Sequence, residues 1–423
     1  MIERITIDNF KSLKKVDLKL GRLNLFVGAN ASGKSNLFDA LQVLWGIANG
    51  NPLKEFLEGG SGTNSGERWP GIRGGLANAI YRPPPTRAPS SPAEQAKPNH
   101  STFAELMSNA TAHPTREATL RVRLTEPSGS LEYSFTFDSG GETTDEWLMK
   151  AGTKVASMEG GEVLFRHADK PLSPGVPNPW GGSEIIHSLS VGALAGDKDM
   201  ITLISHLMGQ LTSMQFLELE PRVLRQYGLA ADVPRPMGRS GENFAGVVRS
   251  ICADPKTKAA YLSWLQELRP QEVDDVKTLN GALGEPLFAL SEGGQDFPAP
   301  VLSDGTLRFA ALAASFFRHP PPLLLAVEEI ENGIHGSRLR LLVELFRRQA
   351  AFGQIQVLAT THSPLVLAWL KPEEYQNTFV CKRDEMTGES RILPLTEIPR
   401  FEEVIRTQSI TELLTEDWME AAL

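Results

Sequence analysis

The chain has 423 residues, with a hydrophobic fraction of 41% and a charged fraction of 22%. That is ordinary globular composition, enough for two or three domains, and it excludes disorder as the main state. Fifty-one acids against 42 bases give a net charge of −9, which excludes a strongly basic nucleic-acid coat protein but allows a local basic patch.

In chain order, Ile2, Ile5 and Ile7 alternate with polar residues up to Phe10 and predict a strand, not a signal peptide. A short apolar run over 23–27 stops at Gly28 and predicts a buried strand. From 36 to 47, Leu37, Phe38, Leu41, Leu44 and Trp45 fall at helical spacing. Residues 59–99, dense in Gly, Pro and Ser and including Pro83-Pro84-Pro85, predict a long surface loop. A hairpin is expected from 118–124 and 131–137, turning at Pro127-Ser128-Gly129. A strand is expected over 162–166, mostly helix over 185–215, and helices over 242–250 and 256–268. The last third alternates: strand 323–327, helix 337–352, strand 355–359. Such alternation predicts a mainly parallel sheet with helices on its faces. There are no internal repeats and no sustained heptads.

Four motifs carry chemistry. Gly28-Ala29-Asn30-Ala31-Ser32-Gly33-Lys34-Ser35 fits G-x-x-x-x-G-K-[ST], between a predicted strand and a predicted helix. Glycines let backbone N–H groups turn toward phosphates, Lys34 would reach the β- and γ-phosphates, and the Ser35 hydroxyl would bind Mg²⁺. The strand 323–327 ends in Glu328-Glu329. At the carboxyl end of a strand, the first carboxylate can hold the metal shell and the second can orient or deprotonate water. Ser303 would cap the helix that follows it, with Asp304 in the first turn. Capping alone explains both, and the functional alternative is an anion-binding helix N-terminus. His362, at the end of strand 355–359, is placed as a γ-phosphate sensor.

The four pieces and their order resemble the ABC-type ATPase heads of the SMC/RecF/OLD class, some of whose bacterial members are called AAA family ATPases. The resemblance rests on Asn9-Phe10-Lys11-Ser12, the Walker A loop, Leu302-Ser303-Asp304-Gly305-Thr306 as signature, and Glu328-Glu329 as Walker B. It also includes Glu331-Asn332-Gly333-Ile334-His335 as D-loop and Thr361-His362-Ser363-Pro364 as switch segment. It implies an α/β P-loop NTPase head: a mixed or parallel central sheet flanked by helices, an N-terminal antiparallel β subdomain and a helical insert. It also implies that Asn30, Ala31, Ser32, Gly33, Lys34, Ser35 and Asn36 hold the nucleotide. Lys11 and Ser12 would touch its base or ribose. Ser35 and Glu328 would hold Mg²⁺, while Glu329, His362 and Lys34 act in catalysis. Ser303, Asp304 and Gly305 would meet the γ-phosphate of a second subunit, which implies a head-to-tail homodimer around two ATP molecules. The family usually has Asp where this chain has Glu328, and no Q-loop glutamine can be placed, since Gln42 lies too early.

The expected organisation is an N-terminal part of the head (1–58), a Gly/Pro-rich loop (59–100) and a β-hairpin and helical insert for partner docking (101–285). The C-terminal part of the head (286–395) and an acidic tail (396–423) follow. About 270 residues separate Walker A from the signature without heptads or a C-x-x-C hook, which excludes long coiled-coil arms. Only 60 residues follow Ser363, too few for a Toprim nuclease domain. Two cysteines, Cys252 and Cys381, fit a reduced, cytoplasmic compartment. No apolar run approaches the ~18 residues of a membrane helix.

The leading expectation is an ATP-driven switch acting on a separate effector in bacterial anti-phage defence. The alternative is a RecF-like DNA-binding ATPase, for which the basic residues of 1–22 and Arg338, Arg340, Arg347 and Arg348 would supply the surface. A third expectation, a module that holds ATP without turnover, is opposed by the presence of both Glu329 and His362.

Overall fold

The computed structural model describes residues 1–61, 68–69, 71–82, 117–126, 129–159, 162–167, 170–171, 182–190, 198–230, 235–269, 271–352 and 355–407. The strands, in chain order, are β1 (Ile2–Phe10), β2 (Leu13–Lys19), β3 (Leu23–Val27), β4 (Gly60–Ser61) and β5 (Arg68–Trp69), then β6 (Glu117–Glu126), β7 (Gly129–Asp138), β8 (Thr143–Lys150), β9 (Thr153–Glu159), β10 (Glu162–His167) and β11 (Lys170–Pro171). After a helical stretch come β12 (Met214–Leu217), β13 (Asp275–Asn280), β14 (Pro286–Glu292), β15 (Gln295–Pro298), β16 (Leu324–Val327), β17 (Gln356–Thr361), β18 (Thr378–Arg383) and β19 (Ser390–Pro394).

Two sheets dominate. One has the order β11-β10-β9-β8-β7-β6-β1-β2 and is antiparallel at every pairing. The other has the order β12-β16-β17-β3-β18-β19 and is parallel until the last pair. The strands β16 and β17 are buried along their whole length, as expected of parallel strands covered on both faces. Their alternation divides two cores. Leu324, Ala326 and Leu358 face the core shared with the antiparallel sheet and the helix Lys34–Ala48. Leu325, Val327, Val357 and Ala359 face the core built with the helices Phe244–Ala253, Pro255–Leu268, Asp304–Phe317 and Gly336–Phe352. The sheet is thus covered on both faces, and its loops at the carboxyl ends of the strands are left to form the candidate site.

Several elements depart from the sequence expectations. The strand β2 escaped notice because only Leu13, Val16 and Leu18 face inward while its lysines face out. The strands β8 and β9 extend the expected hairpin. The stretch 185–215 divides into the helices Glu184–Ser190 and Lys198–Thr212, and Gln215 lies in a strand. Residues 71–82, expected as surface loop, bury Ile72, Leu76, Ala79 and Ile80. The backbone N–H groups of Lys11 and Tyr81 bond to Ala79 and Asn9, stitching this segment to β1 and the turn after it. The turn Pro127-Ser128 and most of the acidic tail lie outside the described residues. No helix among the described residues is long and apolar enough to cross a membrane.

Candidate nucleotide site

The loop between β3 and the helix Lys34–Ala48 is forced by its backbone. Gly33 has φ +104, and a Cβ there would stand 2.2 Å from Ser390 Oγ, so glycine is required both for its conformation and for the approach of β19. Ala31, a non-glycine residue, has φ +64. The helix has no side-chain cap at Gly33, and its N-terminus is the positive end of the helix dipole, which favours an anion. Lys34 curls over the loop, donating to the carbonyls of Gly28 at 2.6 Å and Ala29 at 2.7 Å. Asn30 and Ala31 are exposed at the mouth, and Ser32 is buried beneath it.

The helix and β16 bring Ser35 to Glu328. Ser35 Oγ donates to Glu328 Oε2 at 2.8 Å. Burial raises the Glu328 carboxyl above its usual range, while the charge and hydrogen bond of Arg73 and the bond from Ser35 oppose that rise. A hydroxyl and a carboxylate side by side are the hard oxygen donors that Mg²⁺ accepts, and Mg²⁺ commonly completes its shell with phosphate oxygens and water. No group of three or more His, Cys, Asp or Glu among the described residues could hold a metal. The pair therefore fits Mg²⁺ arriving with a nucleotide, not a metal caged by protein alone.

Glu329 is strained, with φ +48. Its backbone N–H donates to Thr360 Oγ1 at 2.9 Å, and Asn332 Nδ2 donates to its carboxylate. His362 is anchored to the next turn: its backbone N–H donates to Glu331 Oε1 at 2.7 Å, and its Nδ1 lies 2.8 Å from the same oxygen. The loop after β16 and the loop after β17 are thus one unit.

Other expected site residues sit differently. Lys11 is turned inward, its ammonium held by Asp39 and by the Arg73 carbonyl, and its side chain is 7% exposed. It braces the wall of the site instead of offering itself to a base or ribose. Ser12 is engaged with Ser390 Oγ at 2.6 Å and with Asn36 Nδ2 at 2.6 Å. Ser303 caps its helix, accepting from the Thr306 N–H at 3.3 Å, and Asp304 pairs with Arg225 at 2.6 Å. A Cβ at Gly305 would meet the Gly333 carbonyl at 2.5 Å, so the signature and the D-loop turn pack against each other. Arg308 strengthens this contact by donating to the carbonyls of Asn332 and Leu219.

Sequence reasoning missed Arg73, Arg239 and Glu218, which gather around Glu328. It also missed Asp39, beneath Lys11. The flanking glycines of Gly71-Ile72-Arg73-Gly74-Gly75 were the available signal. They read as loop composition, whereas Gly71, Gly74 and Gly75 all take positive φ and shape a tight turn. Gln42 is buried in the first helix, its Oε1 3.4 Å from Arg239 Nη1.

Comparison with known proteins bears on the fold that holds these residues. A family model described as "AAA ATPase domain" matches residues 1–60, and one described as "AAA domain, putative AbiEii toxin, Type IV TA system" matches residues 268–368. A solved SMC head bound to the C-terminal winged-helix domain of ScpA aligns over 94% of this chain and 99% of its own, with TM-score 0.53 and 13% identity. The chain has the fold of that SMC head. An SMC head domain from Thermotoga maritima aligns over 93% of this chain and 98% of its own, at TM-score 0.44 and 13% identity. No curated protein sequence matches significantly. The two family models cover the segments that hold the loop 28–35 and Glu328-Glu329.

Proposed function

We propose that this head is an ATP-binding and ATP-hydrolysing switch that closes head-to-tail with a second copy around two Mg²⁺-bound ATP molecules and regulates a separate effector protein. The observation that carries the reading is the Ser35–Glu328 contact beside Lys34 at an uncapped helix N-terminus. Ser35 and Glu328 hold Mg²⁺, which when bound neutralises phosphate charge. Lys34 releases the loop carbonyls and pairs with the terminal phosphates. Glu329, oriented by Asn332 and by its strained backbone, positions the attacking water and accepts its proton. His362, fixed through Nδ1, presents its other nitrogen to the γ-phosphate. Ser303, Asp304 and Gly305 meet the nucleotide of the second copy.

A role in bacterial anti-phage defence fits the family description over 268–368, which names a toxin of a type IV toxin–antitoxin system. An effector that docks as a protein domain has its parallel in the ScpA-bound SMC head. The alternative of a DNA-binding repair ATPase is less well supported, because several of the cations that suggested it are engaged. Arg347 is held by Glu374 and Glu344, Arg348 by Glu344, Arg4 by Asp17 and Lys14 by Glu389.

Light scattering with nucleotide binding and phosphate release tests the proposal on wild type, Lys34→Ala and Glu329→Gln. Lys34→Ala should lose nucleotide. Glu329→Gln should bind ATP, release phosphate on the order of 10²-fold more slowly, and accumulate an ATP-dependent dimer. Equal loss of binding in both variants would overturn the role assignment. A monomer under all conditions would overturn the sandwich.

A further inference from the structure

Two guanidinium groups converge on the oxygen of Glu328 that Ser35 does not touch. Arg73 Nη2 donates to Oε1 at 2.7 Å, and Arg239 Nη2 lies 3.3 Å from the same atom. Both also reach Glu218 Oε2, at 3.2 Å and 2.8 Å. The two arginines come from turns remote in sequence, and each turn is braced. The Arg73 carbonyl receives Lys11, and the Arg239 carbonyl accepts the backbone N–H of Glu218 just beyond β12. The Glu328 side chain is only 7% exposed, whereas that of Glu218 is 52% exposed. The cluster therefore has a sheltered acid and a wet acid sharing the same two cations.

A guanidinium and a divalent cation compete for the same carboxylate lone pairs. We propose that Arg73 and Arg239 form a guanidinium clamp on Glu328 that competes with Mg²⁺ and so sets the Mg²⁺ concentration at which nucleotide is held. Glu218 keeps the arginines paired when Glu328 turns to the metal, so the exchange leaves neither guanidinium without a carboxylate. Metal entry is thereby tied to movement of the turns 71–75 and 238–242. The clamp rests on the reading of Ser35 and Glu328 as the Mg²⁺ pair.

The test is binding of a fluorescent ATP analogue to the full chain, titrated with MgCl₂ and repeated in EDTA. It uses wild type, Arg73→Gln, Arg239→Gln and Arg73→Lys, each checked for folding by circular dichroism. The clamp predicts that the Mg²⁺ midpoint falls about tenfold in either Gln variant, the equivalent of about 1.4 kcal/mol. Arg73→Lys should shift in the same direction, because an ammonium keeps the charge but lacks the planar fork. A midpoint unchanged in both Gln variants overturns the clamp, and so does an Arg73→Lys midpoint equal to wild type, which would leave a through-space charge effect. Weaker binding in EDTA with no midpoint shift would make the arginines phosphate ligands and also overturn it. If wild-type binding ignores Mg²⁺ altogether, the metal reading itself falls, a result distinct from all of these.

Discussion

Among the glutamates withdrawn from water in the described residues, Glu328 and Glu146 are held in opposite ways. Glu328, at the end of β16, is satisfied by Ser35 and by two cations carried on remote turns. Glu146, on β8 of the antiparallel sheet, is fully buried and held by neutral donors: Tyr133 Oη at 2.6 Å, Ser183 Oγ, and the backbone N–H groups of Glu184 at 2.8 Å and Ile185 at 3.1 Å. Burial pushes the Glu146 carboxyl up to about 7, against the pull of Ser183, Tyr133 and the two backbone donors. Its donors all belong to one sheet and to the start of the helix Glu184–Ser190, so nothing there can be exchanged for a ligand. Glu328's partners are charged, partly exposed and separately anchored. Burial by itself does not mark a functional carboxylate. On the proposed reading of Glu328, the exchangeability of its partners does.

Variants can break or sharpen this contrast. The largest effect is expected on the nucleotide side. Lys34→Ala should weaken ATP binding about a thousandfold, read by fluorescence titration, without lowering the melting temperature. Substantial binding left in that variant would detach the loop from its assigned role. On the sealed side, Glu146→Ala should cost about 3 kcal/mol, because two backbone N–H groups and two hydroxyls lose their acceptor. Glu146→Gln, which can accept from the backbone while donating to the hydroxyls, should cost far less. Thermal melts separate the two, and similar losses would show that the network does not discriminate by geometry. Ser35→Ala should be milder, raising the Mg²⁺ requirement for nucleotide binding about tenfold and leaving nucleotide binding in EDTA nearly unchanged.

The smallest effect is a pH slope. The native Glu146 carboxyl, at about 7, lies above its ordinary value of 4.5, so the native state binds more protons than the unfolded chain between those values. The stability contribution is full below the unfolded value and is lost as pH rises toward 7. Denaturant unfolding at pH 5 and pH 7.5 should show wild type losing more stability than Glu146→Gln over that interval. An equal loss in both would place the slope elsewhere.

Much of the site was legible because its pieces are contiguous. The phosphate loop, Glu328-Glu329, Ser303-Asp304-Gly305 and His362 each sit where a strand end or helix start dictates, and a local pattern suffices to find them. Arg73, Arg239 and Glu218 were illegible for the opposite reason: no spacing links them, and only tertiary packing brings three distant segments to one oxygen. Residues 71–82 were hidden by the glycine and proline around them. The strands β8 and β9 were hidden by polar outward faces. The arginines of the helix Gly336–Phe352 read from sequence as a solvated face sooner than as a surface for nucleic acid, and their acidic and aromatic partners, among them Glu374 for Arg347, Trp264 for Arg348 and Trp369 for Arg340, are set by tertiary packing.

The position of β3 has a consequence for synthesis. Its two neighbours are β17 and β18, with Val357 opposite Leu23 and Thr378 opposite Leu25. Ser390 then packs on the loop itself. The strand that carries the phosphate loop therefore finds its sheet partners only after the long stretch of chain between β3 and β17 has been made. Such long-range pairing is slow to form and leaves apolar strand edges uncovered in the meantime. A nascent or truncated chain ending before β17 holds every residue of the Walker A sequence yet lacks the strands that shape it. The shape of the phosphate loop thus waits on segments far downstream of it.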